Sequence, residues 1–199
     1  MAVSFTEKER VGIVAALRRA AARHAAEEGM RKTTVDELTV EAGISKGAFY
    51  KFYPSKEHLF LDMLEQWHNE IENRTERAMA ENPALPAPQR AALLLKTAWG
   101  VIREKPLIGF CQDDLPFILR KLPEKMLSEH YQSNEDFIRT LMARANVRLA
   151  VPESVAYAAI RIIIFSPLTA SKIGGGYGPA VEALIDGACT VMVMDDEAR

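Results

Sequence analysis

Apolar residues recur at spacings of three and four through most of the chain, and no run alternates apolar and polar residues between turns, so the sequence reads as all-α. Thr6 and Glu9 form a capping box ahead of a stripe of Val11, Val14, Leu17, Ala21 and Ala25, and Gly29 offers a left-handed stop, which predicts a first helix over 7–28. Thr34 and Glu37 repeat the capping signature, but Gly43 ends that second helix after barely two turns. Ser45 then caps a third short helix, about 46–52, ahead of Pro54. From Ser55, the positions Leu59, Phe60, Met63, Leu64, Trp67 and Ile71 predict a long amphipathic helix reaching about Glu81. "NPALPAP", with three prolines in seven residues, is a connection. Further helices are predicted near 88–104, 113–121, 123–131, 134–149, 153–172 and 179–194, separated by Pro106, Pro123, Pro152 and the "GGGYGP" turn.

Composition narrows the classes. The 199 residues are 48% apolar and 26% charged, which suits a packed globular chain, and the formal charge is only -2. The average hides an asymmetry: residues 1–60 hold ten Lys and Arg against eight Asp and Glu, so the basic side is the amino-terminal part. Cys111 and Cys189 form no CxxC pair and have no His partner at metal-ligand spacing, so no metal is expected, and both read as small buried residues in a reducing compartment. The amino terminus turns charged too early for a signal peptide. The most apolar stretch, "AYAAIRIIIFSPL", is interrupted by Arg161 and Pro167 and is shorter than the roughly 20 residues that span a bilayer. The expectation is a cytoplasmic protein that no membrane holds.

The chemistry gathers where the helices are short. Two short helices joined by a Gly-containing turn make a helix-turn-helix, whose second helix enters the DNA major groove. Ser45, Lys46, Gly47 and Ala48 open that helix; they are small or flexible, so the backbone can approach base edges while Ser and Lys reach donors and acceptors. Tyr50, Lys51 and Lys56, with the Thr34 hydroxyl, suit phosphate oxygens, which set position rather than sequence preference. Phe49 and Phe52 are expected in the core.

The whole stretch resembles the TetR family of bacterial transcriptional regulators. Thr34, Val35, Leu38, Ala42, Gly43, Ile44, Ser45, Gly47, Tyr50, Phe52, Pro54, Ser55, Lys56, Glu57 and Leu59 stand in the places of the family's amino-terminal pattern without a gap. Two departures are Tyr53, where the family has Phe, and Ala48, often Thr. The resemblance implies a DNA-binding domain over 1–55 and a helical effector-binding and dimerisation domain over 56–199. It implies a homodimer built through about 153–172 and 179–194, and a repressor released from a palindromic double-stranded operator by a small-molecule effector, itself unidentified and largely apolar.

Trp99, Phe110, Phe117, Met126, Phe137, Met142 and Tyr157 are the candidates to surround that effector, although such residues at helical spacing are usually core. Gln112, Asp113 and Asp114 read as a polar helix start. No cofactor is expected. No glycine-rich phosphate loop, HExxH pair or GxSxG elbow occurs, and His24, His58, His68 and His130 are scattered, so catalysis is not expected. The alternative reading is a DNA-binding regulator controlled by a protein partner, or one with no ligand switch.

Overall fold

The computed structural model describes residues 5–105, 107–125 and 134–195, and among them there is no strand, only an isolated antiparallel bridge between Leu149 and Val193. The helices are α1 (Glu7–Glu27), α2 (Val35–Ala42), α3 (Lys46–Phe49), α4 (Lys56–Glu81), α5 (Ala87–Glu104), α6 (Ile108–Asp113), α7 (Leu115–Lys121), α8 (Asn134–Ala145), α9 (Glu153–Phe165), α10 (Ala170–Ile173) and α11 (Tyr177–Met192). Packing gathers the chain into two compact units, residues 1–67 with 109–131 and residues 68–108 with 132–199. The unit that holds the short helices is therefore larger than the 1–55 segment marked by the motif.

In the first unit, both predicted capping boxes form. Thr6 accepts the Glu9 N–H and Thr34 the Glu37 N–H, while each glutamate reaches back to the backbone of its threonine. The buried face of α1 is Leu17, Ala20, Ala21, His24 and Ala25. Val11, predicted to lie on it, is 64% exposed; the stripe begins only where α2 and α4 lie against the helix. Leu38, Phe49, Leu59, Phe60, Phe110 and Ile118 complete the core, with Phe60 and Phe110 stacked at 5.7 Å between ring centroids. Truncating a wholly buried phenylalanine such as Phe60 costs about 3–5 kcal/mol. A polar seam crosses this core: Arg18 donates two hydrogen bonds to Asp62, at 2.7 and 2.6 Å, and Tyr53 donates a third. The hydroxyl by which Tyr53 departs from the family pattern is thus spent inside the unit.

In the second unit, α5 packs against α8, α9 and α11 through Leu94, Leu95, Ala98, Trp99, Val101 and Ile102. Arg90 caps α8 by donating to the carbonyls of Ala145 and Asn146, and Asn146 adopts the left-handed conformation, φ 47°, that an asparagine tolerates. Helix α8 consequently stops at Ala145 rather than near 149. The predicted helix 153–172 breaks after Phe165 into a 3₁₀ turn, Ser166–Thr169, before α10, because Pro167 withdraws a backbone donor. The helix predicted at 113–121 is α7, and α6, which was not predicted, precedes it and meets it at Asp114; the helix expected at 123–131 lies mostly outside the described residues.

His68, the first residue of this unit, is 7% exposed and stacks on Phe137 with ring centroids 4.3 Å apart. Burial disfavours the imidazolium and pushes the His68 pKa down from 6.5 to about 4. Between those values the unfolded chain binds a proton that the folded chain refuses, so stability rises with pH. The expected outcome is that wild type loses on the order of 3 kcal/mol relative to His68→Phe as pH falls from about 6.5 to about 4. Urea unfolding of both proteins across that range checks it, since carboxylate effects common to the two cancel.

Candidate nucleic-acid interface

Helix α2 ends because Gly43, at φ 67° and ψ 31°, takes the left-handed C-cap position, and its N–H returns to the carbonyls of Thr39 and Val40. Two residues later Ser45 restarts the chain as a helix, its Oγ accepting the Ala48 N–H at 3.2 Å. The α-helical part of α3 is four residues long. Tighter i to i+3 bonds, Lys51 to Ala48 at 3.0 Å and Phe52 to Phe49 at 2.9 Å, carry the turn on to Phe52, short of the seven-residue helix predicted.

Such a short helix is placed by its anchors. Ala48 and Phe49 are buried, Phe49 lies edge-on to Tyr50, and Phe52 sits against Phe5 and beneath the Arg10 guanidinium. Ser45, Lys46, Gly47, Tyr50 and Lys51 are left on the outside. A Cβ built on Gly47 would meet nothing within 4 Å. Packing within the chain does not require glycine there.

The cations on and near this face are held differently. Lys46 donates to Asp36 at 2.8 Å across α2 and α3, and that hydrogen bond raises its pKa further above neutrality. The pair is exposed, so exchanging it for another acceptor costs little. Lys51 lies over the Phe5 ring at 5.8 Å. The Thr34 hydroxyl donates to Glu37 while accepting its N–H, which is the capping role. Lys56, expected at phosphate, is also held within the unit. Its ammonium donates to the carbonyls of Met30, Arg31 and Thr33 at 2.9, 3.3 and 2.6 Å, which uses its three N–H groups. Two further cations, Arg31 and Lys32, are exposed in the turn before Thr34, and the "RK" immediately ahead of the capping box is their signal in the sequence.

Residues 17–63 match the family described as "Bacterial regulatory proteins, tetR family". The uncharacterized HTH-type transcriptional regulator YuxN of Bacillus subtilis (strain 168) is 41% identical over 68 residues, which are 34% of this chain and 22% of that protein. The matched segments span about one-fifth to two-fifths of the length of the curated relatives. Among solved structures, a TetR family transcription regulator from Marinobacter aquaeolei VT8 superposes with a TM-score of 0.67 at 15% identity, covering 94% of this chain and 99% of that one. The ketosteroid transcriptional regulator KstR2 of Mycobacterium tuberculosis gives 0.64 at 16% identity, covering 98% and 100%. Residues 17–63 therefore carry the TetR-family amino-terminal pattern, and the solved structures share the fold of the chain. At these identities the structures establish the all-α fold along the chain, and the sequence match lies in the helix-turn-helix.

The predicted effector residues are distributed over both units. Trp99 and Met142 line a small apolar cavity of the second unit, together with Leu95, Leu141, Ile160 and Ile163. Phe137 is buried on His68, and Tyr157 lies beneath the Arg139 guanidinium at 5.0 Å; neither lines the cavity. Phe110 and Phe117 belong to the unit of the helix-turn-helix, Phe110 stacked on Phe60 and Phe117 beneath Lys121 at 4.5 Å. Phe110 is a core residue, whereas Phe117 is half-buried. Met126 lies outside the described residues. Burial pushes the thiol pKa up to about 12 for Cys111 and about 11 for Cys189, so neither is a reactive thiolate near neutral pH.

The ion pair across α2 and α3 yields a prediction. Asp36→Asn frees Lys46 and removes a negative charge from the face, so affinity for duplex DNA should rise severalfold in electrophoretic or anisotropy titrations. Lys46→Ala should instead lower the preference for a selected over a random duplex by roughly tenfold.

Proposed function

We propose that this protein is a cytoplasmic transcriptional regulator of the TetR family that binds a palindromic operator as a homodimer, with α3 in the major groove, and acts as a repressor. The observation that carries the reading is the division at α3: Ala48 and Phe49 are buried, while Ser45, Lys46, Gly47, Tyr50 and Lys51 are exposed, as are Thr34 and Lys32. In this reading Ser45 and Lys46 address base edges, with Gly47 allowing the approach and Ala48, expected at the interface, packed inward instead. Tyr50, Lys51 and Thr34 address phosphates. Lys56 contributes its charge and its hold on the turn. Selection of duplexes from a random pool with the full-length protein tests the reading. The expected result is an inverted repeat with half-sites about one helical turn apart; no enriched sequence would refute it.

Support for the homodimer lies in α9 and α11. By length and composition the run 153–192 is apolar enough to cross a membrane, yet only 17% of its most apolar window is buried within the chain. Helix α11 buries Tyr177, Val181, Ile185, Cys189 and Met192 and turns a second stripe outward, Ala180, Leu184, Gly187 and Val191 at spacings of four, three and four. Helix α9 adds Val155 and Ile162, the latter 72% exposed. A second copy packed on these stripes covers apolar surface that a lone chain leaves in water. Ile162→Glu with Leu184→Glu should shift the protein from twice the 22.2 kDa chain mass to a monomer in light scattering. A dimer that survives the pair of charges would contradict the interface.

A small apolar effector fits the cavity beside Trp99 and Met142 by chemistry, because the lining is aliphatic and aromatic. Its volume of about 10 Å³ admits about one water, so an effector must part α5, α8 and α9 as it enters. Such an effector would lower operator affinity, and the operator would lower effector affinity by the same factor. The cavity's size favours a second reading, a DNA-binding regulator with no small-molecule switch. The two separate when compounds found by thermal shift are titrated against free and operator-bound protein. Unequal affinities support the switch, and equal affinities, or no compound, support the second reading.

A further inference from the structure

Asp114 stands between α6 and α7 and is 3% exposed, yet it makes no capping hydrogen bond to α7. Its carboxylate is turned the other way. Oδ2 accepts the buried Met30 N–H at 2.8 Å and Oδ1 accepts the Arg31 Nε–H at 2.9 Å, contacts that span more than eighty residues of sequence. Gly29, beside them, has φ 83°, and a Cβ there would stand 2.6 Å from Oδ2. Both the backbone conformation and the approach of the carboxylate therefore call for glycine. Lys56 grips the same turn by its carbonyls, and the Thr33 hydroxyl closes it by donating to the Gly29 carbonyl at 2.9 Å. The turn from Gly29 to Thr33 is thus held by its N–H side on Asp114 and by its C=O side on Lys56. The next residue is Thr34, the cap of α2.

We infer that Asp114 is a positioning residue for DNA recognition. Its carboxylate fixes the turn between α1 and α2, and that turn sets the angle at which α2 and α3 present the Lys46 face. The inference rests on the DNA-binding reading above. It makes a prediction opposite in sign to simple electrostatics. Removing a negative charge strengthens binding to any polyanion, whereas loosening the turn weakens binding to the duplex whose bases α3 must meet.

The test uses full-length wild type, Asp114→Ala and Asp114→Asn, at a temperature well below each protein's unfolding transition. The probes are the duplex selected by wild type from a random pool and a random-sequence duplex of equal length. Both variants should lose at least about tenfold on the selected duplex and stay within about threefold of wild type on the random one. Asn should lose less than Ala, because its side-chain carbonyl can still accept the Met30 N–H. Amide exchange at Met30 should quicken in the same order. Gly29→Ala should lower selected-duplex affinity in wild type and lower it less in the Asp114→Ala background, where the opposing oxygen is gone. Undiminished binding to the selected duplex, or parallel losses on both duplexes, overturns the proposal. Failure of both Asp114 variants to fold also overturns it, by making Asp114 a residue of the fold alone. A wild type that enriches no duplex overturns the DNA-binding reading and this proposal with it.

Discussion

The constraint on which the rest depends is that α2 and α3 are too short to hold themselves in place. Helices of eight and four residues lie far below the length at which a helix persists alone in water. Their geometry must come from what they are fastened to. Phe49 and Leu38 fasten them to the core, Gly43 and Ser45 fix the turn between them, and the turn from Gly29 to Thr33 fixes where they begin. In return, the buried underside of α3 leaves Ser45, Lys46, Gly47, Tyr50 and Lys51 outward, while α2 exposes Asp36, Glu37, Val40 and Glu41.

Charge is used sparingly around that face. Lys56 spends its donors on carbonyls, Lys46 on Asp36, and Arg18 on Asp62 with Tyr53. The interior pairs hold shape, because separating a part-buried guanidinium from its carboxylate leaves an uncompensated charge. The exposed pair of Lys46 and Asp36 is the one a competing acceptor can open cheaply. A protein with a net charge of only -2 can in this way present a basic recognition face, since what matters is which cations remain exchangeable.

Much of the architecture was legible because local rules and tertiary packing agree. Thr6 with Glu9, Thr34 with Glu37, Gly43 and Ser45 act as caps in the positions their chemistry suggests, and the stripe from Leu59 to Ile71 is buried along α4. Less was legible where a distant partner decides. Val11 has the right spacing but no neighbour, Lys56 has the right charge but three nearby carbonyls, and Asp114 opens a helix yet bonds to Met30. The aromatic residues proposed for an effector shared only their helical spacing, which cannot distinguish a core position from a pocket wall. None of these partners is within reach of a sequence window.

The central claim is that α3 reads DNA through its Lys46 face, and a structure of the protein on its selected duplex tests it most directly. The account predicts α3 of each protomer in successive major grooves, about 34–36 Å apart, with Lys46 Nζ moved from Asp36 to a base edge or phosphate. A complex in which Lys46 keeps its bond to Asp36 while another element occupies the groove would contradict it.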